Sequence, residues 1–74
     1  MHIESLVRMA NQIGAFFEAM PDRPEALENA AQHLKRFWEP RMRSQLLAHV
    51  DASGGEDLNP LVAEAISRHR ALLG

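Results

Sequence analysis

Ile3, Leu6, Val7, Ala10, Ile13, Phe17 and Met20 follow one another at three- and four-residue steps that keep them on one face of an α-helix. No other feature narrows the fold as much. Glu4, Arg8, Asn11, Gln12 and Glu18 lie mostly off that stripe, while Met9 and Phe16 form a second row at its edge. The apolar face is therefore wider than one neighbouring helix would need. Leu27, Ala30, Ala31, Leu34, Phe37 and Trp38 repeat the pattern, which continues the stripe to Phe37 and directs it toward the core. No stretch alternates with period two, and β-branched residues are sparse, so the fold class is all-α.

Local chemistry places the boundaries. Met20-Pro21-Asp22-Arg23-Pro24 ends the first helix and starts the second. Asp22 and Glu25 have capping-box spacing, and Pro24 falls in the first turn, where its missing N–H is harmless. Pro40 pushes Glu39 out of the helical region and breaks the chain there. Helical spacing resumes with Met42, Leu46, Leu47 and Val50. Residues 51–57, acidic with a glycine pair, read as a flexible loop. Asn59-Pro60 is an N-cap and first-turn pair for a last helix carrying Val62, Ala65, Ile66, His69 and Leu73. The expectation is one domain over 1–74, a small bundle of three to four helices at about 3–20, 23–39, 40–50 and 60–73.

A chain of 74 residues has a folded surface of about 4,600 Å² and buries only about 60 % of what it exposes unfolded. Such a core is marginal, and with no cysteine there is no disulfide, thiolate zinc site or iron–sulfur ligation to support it. A partner or a second copy is the expected extra source of stability. The net charge of −2 and pI near 6.0 do not suit a general binder of nucleic acid or anionic membrane. No apolar run approaches the ~20 residues of a membrane span. The first residues lack the basic-then-apolar pattern of a signal peptide, so a cytoplasmic location is expected.

Catalytic constellations are hard to find. His2, His33, His49 and His69 never pair at i+3 or i+4, as a helical two-histidine metal site requires, and read as surface or core-edge residues. Ser5, Ser44, Ser53 and Ser67 are the only hydroxyl nucleophiles, none in a nucleophile-elbow context. Gly54-Gly55 is followed by acids, which repel phosphate. The expectation is a chain with no catalytic, cofactor-binding or metal-ligating residues of its own.

One segment stands apart. His33-Leu34-Lys35-Arg36-Phe37-Trp38-Glu39-Pro40-Arg41-Met42-Arg43 holds the only tryptophan and half of the eight Lys and Arg side chains, between two acidic flanks. Three readings stand open: core aromatics beside solvated arginines, a protein interface, or nucleic-acid binding. Arg, Trp and Met are enriched at protein interfaces. Four charges without a basic remainder leave only a weak footprint for nucleic acid. Arg36, Trp38, Pro40, Arg41 and Arg43 are the candidate partner contacts, the arginines as charge-assisted donors and Trp38 as an anchor.

With these residues in view, the chain resembles the delta subunit of the soluble, NAD-dependent formate dehydrogenases of bacteria. The matching stretches are Ile3 through Ile13 with Phe16-Phe17, then Pro21-Asp22-Arg23, above all His33 through Arg43, and Asn59-Pro60-Leu61-Val62. The resemblance covers nearly the whole chain, and the ordered combination is its specific part. It implies a small accessory subunit that holds or matures the complex, against the large pterin-bearing subunit. Molybdenum or tungsten pterin, iron–sulfur clusters, FMN and NAD would then reside in partner subunits. A stand-alone homo-oligomeric interaction or regulatory module is the other reading of the same residues.

Overall fold

The computed structural model describes residues 2–74. Five helices follow in order: α1 Ile3–Glu18, α2 Arg23–Phe37, α3 Pro40–Ser53, α4 Pro60–Arg68 and a single turn, α5 Arg70–Leu73. Among the described residues there is no strand. The helices form a small all-α bundle with a surface of 4,607 Å².

Three helix starts follow from their caps. Asp22 accepts from the N–H of Glu25 at 3.2 Å, with Pro24 in the first turn of α2. Asn59 Oδ1 accepts from the N–H groups of Leu61 (2.8 Å) and Val62 (3.3 Å), with Pro60 opening α4. Glu39, extended at ψ 152°, precedes Pro40 at the start of α3, the conformation a following proline imposes.

The ends depart from expectation. Helix α1 stops at Glu18, not at residue 20. Helix α3 runs a turn beyond residue 50 to Ser53, because Gly54 takes the left-handed cap (φ 79°) and donates its N–H to Val50 O at 2.8 Å. The acidic segment is therefore mostly helix followed by a pinned turn. Asp57 O accepts from Asn11 Nδ2 (3.1 Å), and Leu58 is buried. The last helix is broken at His69 (φ −112°, ψ 31°), which divides α4 from α5.

Helix α4 lies at the centre, packed on both α1 and α2. Val62 and Ile66 face one cluster with Leu6, Ala10, Leu34, Trp38, Leu46 and Leu73. Leu61 and Ala65 face a smaller one with Ala26, Leu27 and Ala30, and Ile13 packs against both. The alanines on α2 let α4 approach closely.

A close contact fixes α4 on α1. A side chain on Gly14 would place its Cβ 2.5 Å from Asn59 Oδ1, so only glycine leaves room for the cap residue. Around that gap, Asn59 N–H donates to Asn11 Oδ1 (2.7 Å), and Asn59 Nδ2 donates to the Glu18 carboxylate. Asn11, Gly14 and Glu18 fall on one face of α1 and together hold the start of α4.

Candidate functional site

The α2–α3 junction carries all five side chains expected to meet a partner. The structure sorts them into two groups. Arg36, at the last turn of α2, and Pro40 and Arg41, at the first turn of α3, are exposed. Trp38 and Arg43 are drawn inward. Trp38 leaves the helical region (φ −92°, ψ 137°) as the C-cap of α2 and turns its ring into the larger core cluster, where it is 5 % exposed. The Arg43 guanidinium donates to three carbonyls: Trp38 O (2.7 Å), Lys35 O (3.0 Å) and Leu73 O (3.3 Å). It thus caps the end of α2 and ties it to the last turn of the chain. That satisfies carbonyls a helix end otherwise leaves unpaired.

Phe37 takes the opposite course from the one its spacing predicts. It is 71 % exposed rather than part of the core, because α2 ends beside it and nothing packs over that end. Phe16, on α1, is 74 % exposed. The two stand on either side of a groove between α1 and α2, of about 400 Å³. Met9, Ile13 and Phe17 line its α1 wall, His33 its α2 wall, and an edge of Trp38 its end.

Four rings run across this face. Phe16 and Phe17 meet edge to face at 5.0 Å, Phe17 and His33 lie 6.2 Å apart, and His33 and Phe37 lie 4.8 Å apart. Sequence reasoning placed Phe16 at the stripe's edge and gave His33 no role. The signal that could have found the groove was the width of the α1 apolar face, more than one neighbour covers.

The electrostatics divide the surface. Asp51 and Arg70 pair through both oxygens (2.9 and 2.7 Å), which holds the Asp51 carboxyl below the usual carboxylate range and pushes the Arg70 guanidinium up. The Arg23 hydrogen bonds (3.1 and 2.8 Å), with Arg68 adding its charge, hold Glu64 low as well. His49 Nε2 and Asp57 Oδ2 lie 2.9 Å apart. None of these residues lines the groove. Arg8, Lys35, Arg36 and Arg41 are exposed and form no ion pair among the described residues.

This arrangement is suited to binding. Groove walls of Met, Ile and Phe offer apolar contact, and the nearby unpaired cations offer charge. Among the described residues, no three His, Asp or Glu side chains gather where they could hold a metal ion. The Ser53 hydroxyl donates to the His49 carbonyl (2.8 Å), not to its ring. No described helix is long and apolar enough to cross a membrane.

A family model for the NADH-dependent formate dehydrogenase delta subunit FdsD matches residues 5–66. The match takes in α1, α2, α3 and most of α4, and so both walls of the groove. No curated protein and no solved structure matches the chain.

Proposed function

The chain belongs to the FdsD family of NADH-dependent formate dehydrogenase delta subunits, and we propose that it acts as a non-catalytic accessory subunit binding the large, pterin-bearing subunit and assisting assembly of the complex. The match over residues 5–66 carries this reading. The exposed aromatic face supports it, since two phenylalanines more than two-thirds exposed suit a chain that completes its packing on a partner. In this reading the molybdenum or tungsten pterin, the iron–sulfur clusters, FMN and NAD all sit in partner subunits. Every chemical step is theirs. What this chain contributes is burial of apolar surface, with charge-assisted bonds at the rim. The location that follows is the cytoplasm.

Omission of the chain tests the proposal. Co-expression of the other subunits without it should lower the yield of the assembled complex on size exclusion, and supplying it should restore that yield. An unchanged yield of fully active complex would overturn the assembly role. Sedimentation of the isolated chain separates the stand-alone module, which gives a stable dimer at low micromolar concentration.

A further inference from the structure

We propose that the groove between α1 and α2 seats an acid-flanked amphipathic helix of another formate dehydrogenase subunit, which lays large apolar side chains between Phe16 and Phe37. This rests on the delta-subunit reading above and names the surface that subunit would use.

The shape of the face points to a polypeptide. A small molecule lying in the groove would leave the outer faces of Phe16 and Phe37 in water, at 74 % and 71 % exposure in the free chain. A helix crossing the face covers both. Met9 to Phe17 spans about 12 Å of helix axis at ~1.5 Å per residue, or about two turns of a docked helix. That length accommodates two anchors four residues apart, the spacing of helix-in-groove recognition.

Charge selects the flanks. Arg8 stands one turn before Gln12 on α1, and Arg36 one turn after His33 on α2, so each bank carries an exposed, unpaired guanidinium. Arg41 adds a third beyond Trp38. The acids with printed internal partners, Glu18, Asp51, Asp57 and Glu64, sit on other faces of the molecule, and Glu39 is the only acid between residues 33 and 43. A second copy docked by this same face would bring like charges together across a two-fold axis. Asp and Glu beside apolar anchors complement it.

The test uses the chain co-expressed with the other formate dehydrogenase subunits, the large one tagged. With Phe16 replaced by p-benzoylphenylalanine, irradiation should link the chain to a peptide of another subunit that carries Leu, Met or aromatic residues at helical spacing and flanking Asp or Glu. Phe37→Ala and Arg36→Glu should each lower the amount of chain retained by the tagged subunit, by about thirty-fold for a buried aromatic anchor. Both variants alter exposed side chains, so their helical circular dichroism should match that of the unaltered chain. A link to a second copy or to nucleic acid overturns the proposal. So does full retention of both variants while the unaltered chain co-purifies, which leaves the delta-subunit reading standing. Failure of the unaltered chain to co-purify overturns both.

Discussion

Two adjacent aromatics, Phe37 and Trp38, show how little of a residue's fate its position on a helical stripe decides. Periodicity assigns a direction from the helix axis, and Phe37 falls in the direction of Leu34 and Ala30. It does not say whether anything lies there at the end of the helix. Pro40 forces Glu39 to be extended, the chain turns, and Trp38 leaves the helix and enters the core in its neighbour's place. The consequence is measurable by urea unfolding. Trp38→Ala should cost about 3–5 kcal/mol. That is comparable with the ~4–11 kcal/mol expected for a whole chain of this size at roughly 0.05–0.15 kcal/mol per residue. Phe37→Ala should change stability by less than about 0.5 kcal/mol, as a surface substitution does. Gly14 belongs to the same scale. Nothing in its surroundings in the sequence announces a close approach, yet a methyl group there would meet the Asn59 cap at 2.5 Å. Gly14→Ala should therefore destabilise by about 1–3 kcal/mol despite its better helix propensity. An unchanged or higher midpoint would mean that the cap can move aside.

At the scale of the helices, beginnings were legible and endings were not. Each predicted start rests on local chemistry: Asp22 with Pro24, Glu39 with Pro40, Asn59 with Pro60. Two of the ends depend on contacts far along the chain. The turn after α3 is held by Asn11, more than forty residues away, and the break at His69 divides α4 from a turn whose last carbonyl meets Arg43. Arg43 itself was grouped with the partner contacts because arginine beside tryptophan reads as an interface. Its three carbonyl partners give it an internal task. Arg43→Ala should lower stability by about 1.5–3 kcal/mol, the range for hydrogen bonds to a charged group, as judged by the thermal or urea midpoint. The Asp51–Arg70 pair joins α5 to the end of α3. Because the Asp51 carboxyl is held low, its contribution is present above the ordinary carboxylate range and is lost as pH falls through the lowered value. Glu64 behaves alike through Arg23. Stability should thus fall on acidification below about pH 4, and Arg70→Ala should flatten that part of the profile. A profile unaffected by Arg70→Ala would show that the pair is absent in solution.

For the molecule as a whole, the stabilising and the available charges separate onto different regions. Arg23, Arg43, Arg68 and Arg70 are engaged within the chain, whereas Arg8, Lys35, Arg36 and Arg41 are exposed without ion pairs among the described residues. The basic segment noticed in the sequence was therefore two things superimposed: a capped helix junction and part of a charged rim. The aromatic groove beside it was half-legible, as an apolar face on α1 too wide for one neighbour. Its other wall depended on where α2 would end. Family membership gives the context, a delta subunit of NADH-dependent formate dehydrogenase. The proposed docking face gives a physical role to surface the bundle leaves uncovered. Hydrogen–deuterium exchange of the chain, free and within the assembled complex, measures that face most directly. Slower exchange on assembly over residues 9–17 and 33–41, with little change over 51–58, is the predicted result. Protection confined to α4, α5 and the 51–58 segment, with the groove helices unchanged, would contradict it.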